Sequence, residues 1–229
     1  MLATYINTLA IIIGSLIGIT FKRFISDRFK IIIFQSTGLA SLIIGILMVV
    51  RCKEPVLVVF SIILGGIIGE ILKIENGLEK IGSFLKKIVK RKENTFIEAY
   101  VDTTLLYCVG AMAIIGSINS ANGDYNLLLT KSIMDGTASI IFASILGIGV
   151  LFSSISVLIY QGLLTILSKN LIFLKDISYT NEISGAGGAL VICIGLNLLE
   201  IKKIKIGNLL PSILLIILMM YIKINYFNH

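Results

Sequence analysis

The chain has 229 residues, of which 56% are hydrophobic and 14% charged, with no tryptophan and a mean hydropathy of +0.99. A water-soluble domain of this size is nearer half apolar and a quarter charged, so a soluble enzyme or soluble binding domain is excluded for want of polar surface. The net charge of +7 sits on lysines and arginines clustered between apolar runs, the pattern that orients a membrane protein rather than one that grips nucleic acid.

The first apolar run, roughly residues 4–21, has no Lys or Arg before Lys22. It lacks the basic head of a secretory signal and is expected to be retained as a helix. The basic cluster after it places its N-terminus outside. Further spans are expected at roughly 31–50, 55–72, 100–118, 133–152, 153–168, 184–200 and 207–222. The runs are continuous rather than alternating, which predicts an all-α polytopic transmembrane bundle and not a barrel. With eight crossings, fourteen of the 20 basic residues fall in cytoplasmic loops. A seven-crossing path gives the same number, so charge does not choose between them.

The difference lies in residues 136–168, which carry no charge. As one helix this run reaches about 50 Å, and as two each half reaches about 25 Å, against a hydrocarbon core of about 30 Å. A break near Ser153-Ser154 is favoured, because two adjacent hydroxyls satisfy freed backbone groups. Interrupted helices point to transporter sites; a kink or a tight surface turn is the plainer alternative.

Between the third and fourth spans, Ile74, Leu78, Ile81, Leu85 and Ile88 recur at helical spacing among Lys80, Lys86, Lys87, Lys90, Arg91 and Lys92. The linker 74–98 is read as an amphipathic helix on the cytoplasmic leaflet, its basic side chains on lipid headgroups. Two internal matches are present. Ile12–Lys22 aligns with Ile63–Lys73 at an offset of 51, keeping Gly14 with Gly65 and Gly18 with Gly69. A fainter match at an offset of 150 sets Gly38 on Gly188 and Gly45 on Gly195; in an eight-crossing path that pair runs antiparallel, as an inverted repeat requires. Each GxxxG lets backbones approach closely, so spans one and three are expected to pack through these faces.

Few polar groups are available for chemistry. Asp135 is followed at steps of four by Ser139, Ala143 and Gly147, which places it toward other helices or a water-filled cavity and away from lipid. Asp102 is similarly followed by Gly110, Ala113 and Ser117. Span four also carries Asn119. Two inward carboxylates at opposite ends of adjacent helices can gate a polar path; capping a helix start or bonding between helices is the plainer reading and ranks first. Gln161, Asn197, Asn208 and Tyr160 are expected to bond between helices. Ser184–Gly188 reads as unwound backbone, a helix start facing an anion, a hinge or a tight packing site. Pro211 kinks or starts the last span, and Glu70 is expected to pair with Lys73.

Cys52, Cys108 and Cys193 form no short motif. The one histidine, His229, leaves no basis for a histidine metal site. No nucleophile with an adjacent base, no phosphate loop and no cofactor motif is visible, so an enzyme is not expected.

Six strings together resemble one bacterial inner-membrane family: GLASLIIGIL (Gly38–Leu47), CVGAMAIIGSI (Cys108–Ile118), KSIMDG (Lys131–Gly136), LGIGVLFS (Leu146–Ser153), YQG (Tyr160–Gly162) and IGLNLLEIKKIKIGNLLP (Ile194–Pro211). They are similar to the YdfK/YqgA type, domain of unknown function 554. The resemblance implies a bacterial cytoplasmic-membrane protein and supplies no activity or catalytic residue. The leading expectation is a transporter or channel for a small solute or ion, its path drawn from Asp102, Asp135, Ser117, Asn119, Ser153, Ser154, Gln161 and Asn197. The rivals are a membrane scaffold or lipid-binding regulator and, further back, an intramembrane enzyme. The bilayer itself is the expected partner, and glycine-rich faces are compatible with a homo-oligomer.

Overall fold

The computed structural model describes residues 1–90 and 95–226. Every regular element in it is helical: α1 (Leu2–Lys22), α2 (Asp27–Val49), α3 (Pro55–Leu72), α4 (Ile74–Ile88), α5 (Phe96–Cys108), α6 (Ala111–Ala121), α7 (Asn126–Leu146), α8 (Gly149–Ile166), α9 (Ile177–Leu198) and α10 (Pro211–Tyr226), with 3₁₀ turns at Ser168–Lys175 and Ile206–Leu209. Seven helical segments are long and apolar enough to cross a bilayer. α5 and α6 pass the same test together but meet at a 60° bend.

α1 shows how the amphipathicity of a soluble helix is reversed. Its buried stripe is Ala3, Thr4, Asn7, Thr8, Ile11, Gly14, Ser15 and Gly18. Leu2, Leu9, Ile13 and Leu16 are more than half exposed. Apolar side chains have nothing to gain by facing inward when the surroundings are hydrocarbon, so small and polar groups take the interior.

Residues 1–36, 76–108 and 112–171 form one packing unit, and 37–75, 109–111 and 172–229 a second. In the first, α1 lies parallel to α7. A Cβ on Gly14 would strike the Gly136 carbonyl, and one on Gly18 would meet Ile140 and Ala143. α8 runs antiparallel to α1, since Thr4 meets Thr165 while Asn7 meets Gln161. α7 and α8 are therefore antiparallel to each other, and the 136–168 run is two crossings.

The fold-back lies at Gly147 and not at Ser153-Ser154. Gly147 has φ 89° and ψ −153°, a region open to glycine alone. Ser153 and Ser154 are buried inside α8, their hydroxyls turned back onto the Val150 and Leu151 carbonyls at 2.7 and 2.6 Å. The hydroxyl pair decorates a continuous helix, and glycine's conformational freedom makes the turn. The interrupted span is elsewhere: Gly110, at φ 116°, separates α5 from α6. Parallel α1 and α7 require an odd number of crossings between them. Counted as one span, the bent α5–α6 pair makes eight with the seven helical segments that pass the length and hydropathy test.

In the second unit the latter half of α2 packs antiparallel on α9. Gly38 meets Leu199 and Gly195, and Gly45 meets Ile192 and Gly188. α3 packs antiparallel on the 206–212 segment, with Gly65 against Ser212 and Gly69 against Asn208. Both glycine pairs of the first internal match are thus close-approach faces, one in each unit, and each has its own partner. Ser184–Gly188 lies inside a continuous α9 that starts at Ile177, earlier than expected, and serves as a tight packing site: Gly185 faces Cys52, Gly187 faces Gly110 and Gly188 faces Gly45. Pro211 occupies the first turn of α10, where its missing N–H costs nothing.

α4 is helical over Ile74–Ile88, shorter than the expected 74–98, and the chain leaves it through a turn with Lys90 in the left-handed region at φ 52°; Thr95, at the start of α5, donates to the Leu146 carbonyl at 2.9 Å. Ile81, Phe84 and Ile88 on it are exposed. Lys80, Lys86, Lys87 and Lys90 are placed on or just after this helix, whereas Arg91 and Lys92 lie outside the described residues.

Candidate functional site

Within the first unit, polar side chains from three helices converge. Lys131 and Asp135 stand one turn apart on α7, and the Lys131 ammonium donates to Asp135 Oδ1 at 2.8 Å. Both residues are buried, 7% and 5% exposed. Asn7 of α1 donates from Nδ2 to Asp135 Oδ2 at 3.0 Å and to Gln161 Oε1 of α8 at 3.2 Å. Asn7 and Gln161 are fully buried. The amide orientations follow from the carboxylate, which only accepts: Asn7 must turn its NH₂ to Asp135, and Gln161 must then turn its carbonyl to Asn7. Two atoms are left over, Asn7 Oδ1 and Gln161 Nε2, buried and without a hydrogen-bond partner.

The cluster continues toward the start of α1 as hydroxyls. Thr4 and Thr165 are 3.4 Å apart; the Thr165 hydroxyl donates to the Gln161 carbonyl of its own helix at 2.8 Å and lies 3.3 Å from the Ser117 carbonyl of α6. In the other direction it ends at an apolar layer of Ile11, Tyr107 and Val157, each at most 1% exposed. Ile11 is one turn beyond Asn7 on α1, and Val157 is one turn before Gln161 on the antiparallel α8. The Tyr107 hydroxyl meets Ser139 Oγ at 2.8 Å, one turn beyond Asp135.

The expected path residues divide accordingly. Asp135 and Gln161 belong to the cluster, and Ser117 contributes a backbone carbonyl while its hydroxyl bonds Ala113. Asp102 is buried in α5, five residues before Tyr107, and both oxygens of Asp135 are engaged by Lys131 and Asn7 rather than turned toward it. Ser153 and Ser154 are absorbed in α8. Asn119 lies in the last turn of α6 and donates to Asp124 of the following turn at 3.4 Å. Asn197 belongs to the second unit, where its side chain staples the following loop through both the N–H and the carbonyl of Ile204, at 2.8 and 2.9 Å. Asn208 accepts from the Glu75 amide at 2.7 Å, at the start of α4, and donates to Glu70 at 2.6 Å. Glu70 pairs with Lys205 at 3.1 Å rather than with Lys73: Lys73 terminates α3 in a left-handed conformation, which takes it off the helical i, i+3 path.

Three residues of consequence were not singled out from the sequence. Asn7 is a lone amide in an apolar run. Lys131 lies four residues before Asp135, and that spacing is the signal of a helical pair. Glu182 of α9, 1% exposed, spends Oε1 on the backbone N–H groups of Lys53 and Glu54 at 2.7 and 3.2 Å. It thereby anchors the two residues that lead into α3 from another helix. Burial first, and the Glu182 carboxylate second, push the Cys52 thiol above its ordinary value.

The model of the family described as "Protein of unknown function (DUF554)" matches residues 2–221. The chain is 34% identical over 220 residues to the "Uncharacterized membrane protein YdfK" of Bacillus subtilis (strain 168), covering 94% of this chain and 93% of that one. It is 32% identical over 221 residues to the "Uncharacterized protein YqgA" of Escherichia coli (strain K12), covering 94% of each. No solved structure matches. With apolar helices along its length and a family match from end to end, this chain is a polytopic membrane protein that belongs to the DUF554 family.

Proposed function

We propose that the protein carries a small polar solute or ion across the bacterial cytoplasmic membrane, through the first packing unit. The observation that supports this reading is the Lys131–Asp135–Asn7–Gln161 cluster. A buried ion pair is an inefficient way to stabilise a fold, since apolar residues of similar volume often do as well or better. Ionisable groups inside a membrane bundle mark solute and proton paths. Here the pair is joined by two amides whose remaining polar atoms are unspent, and an apolar layer closes one end. We read this as an occluded site with a gate. A bent span beside the cluster supports the same reading, because a glycine joint lets one half-helix move against the other.

Purified protein in liposomes tests it. Flux of at least one member of a broad panel of ions and metabolites is expected, with loss in Asp135→Asn; no flux across the panel refutes it. The orientation proposed from the basic loops has the N-terminus outside and α4 inside. In a cysteine-free background, Glu79→Cys in α4 should then label only from the cytoplasmic side, and Asp124→Cys in the α6–α7 turn only from outside.

One observation favours a second reading, a lipid-binding regulator. α4 exposes Ile81, Phe84 and Ile88 beside Lys80, Lys86 and Lys87, which suits an anionic membrane surface. If glutamine at those three lysines abolishes the cellular phenotype while no solute moves, that reading replaces transport.

A further inference from the structure

The unspent atoms of the cluster define what it can hold. Asp135 accepts through both oxygens, from Lys131 and from Asn7, and Asn7 has committed both hydrogens of Nδ2. One positive and one negative charge face each other at 2.8 Å, so the cluster carries no net charge. What it still offers is one carbonyl acceptor, Asn7 Oδ1, and the two N–H donors of Gln161 Nε2. These belong to side chains bonded to each other at 3.2 Å.

A guest with net charge would bring an uncompensated charge into a neutral, buried site, where the loss of solvation is severe. A metal ion would have to take Asp135 oxygens from partners they already have. A guest with a donor for Asn7 Oδ1 and an acceptor for Gln161 Nε2 satisfies both orphans at once, and leaving either unmade is costly.

We propose that the solute is small and uncharged, with a hydrogen-bond donor and an acceptor side by side, as in carboxamides, urea and short polyols, and that it docks on Asn7 and Gln161. The Lys131–Asp135 pair stays closed as a neutral wall of the site. This rests on the transport reading above.

The test uses the full-length protein in proteoliposomes. Stopped-flow light scattering follows entry of urea, acetamide and glycerol, while a potential-sensitive dye follows K⁺, Na⁺ and Cl⁻. Permeability to at least one neutral solute should exceed that of protein-free vesicles about tenfold or more, with no ionic current. Gln161→Met and Asn7→Ala should each lower it about tenfold, the weight of one hydrogen bond to a bound solute. Ion flux without neutral-solute flux overturns this inference and leaves transport standing. Silence in both assays overturns both. Neutral-solute flux undiminished in Gln161→Met and Asn7→Ala overturns the assignment to this site, as does passage of water alone. The selectivity of the wild-type protein decides the class without any variant, so a variant that fails to fold does not remove the test.

Discussion

Replacing Asp135 by Asn leaves Lys131 as a cation that is 7% exposed, with its 2.8 Å partner neutralised. Were the pair only an i, i+4 contact on an exposed helix, the loss would be a few tenths of a kcal/mol, and less in this order, with the lysine nearer the N-terminus. Were it only one more hydrogen bond within a membrane bundle, the loss would average about 0.6 kcal/mol. An uncompensated buried charge is a different case, and breaking such a pair costs about 3–5 kcal/mol. The Asn7 bond to Oδ2 survives in part, since asparagine still accepts, so the lower half of that range is expected. That is about a hundredfold or more in the unfolding equilibrium. Lys131→Met should lose a similar amount, because it strips Asp135 Oδ1 of its donor. The double variant Lys131→Met with Asp135→Asn removes both charges and should lose clearly less than the sum of the two singles. Denaturation in mixed micelles, titrated with dodecyl sulfate and followed by far-ultraviolet circular dichroism, measures all three against the wild type. Single-variant losses below about 1 kcal/mol, or losses that simply add in the double variant, would show that the two charges do not depend on each other, and the case for an enclosed ion pair would fail.

Three further outcomes follow from the packing. Gly14→Val places side-chain atoms against the Gly136 carbonyl and should destabilise by about 1–3 kcal/mol in the same titration, whereas Gly77→Val, whose Cβ meets nothing, should leave helix packing intact; equal effects would refute the close approach of α1 and α7. Glu182→Gln should cost about 1–3 kcal/mol and raise amide hydrogen exchange at Lys53 and Glu54, since a neutral side chain replaces a carboxylate on two backbone donors; unchanged exchange there would remove Glu182 as the anchor of the turn before α3. At the start of α9, the Ser178 amide donates to Asp176 Oδ1 at 2.8 Å and holds the Asp176 carboxyl below its ordinary value. The cap therefore stabilises α9 at neutral pH and above the unfolded value of about 3.9, and its contribution is lost as pH falls through the lower folded value. Thermal melts in detergent should show a wild-type advantage over Asp176→Ala at pH near 7 that shrinks in strong acid; an advantage that grows there would invert the assignment.

Why some of this was legible in the sequence and some was not comes down to range. Spans depend on transfer free energy summed over some twenty residues, and on local devices such as Pro55 at the start of α3, so composition carries them, whereas their ends shift, α9 starting at Ile177 and not at 184. Inward faces were readable too, since Gly14 and Gly18, or Asp135, Ser139 and Ala143, repeat at the helical period. Breaks were harder because a single φ decides them. Gly147 and Gly110 adopt positive φ, while Gly136 and Gly185, no different in sequence, sit in unbroken helix. The hydroxyls of Ser153 and Ser154 misled because a serine pair satisfies its own helix as readily as a broken one. Partners across the bundle were the least accessible. Asn7 and Asp135 are 128 residues apart, and Glu182 lies 129 residues from the Lys53 amide it anchors; no period links them. The carboxylates nonetheless announced that partners must exist, because an acidic group in an apolar span has to be received by something. For Asp135 that receiver is a lysine one turn earlier and an amide from the first helix. Both come from within one packing unit.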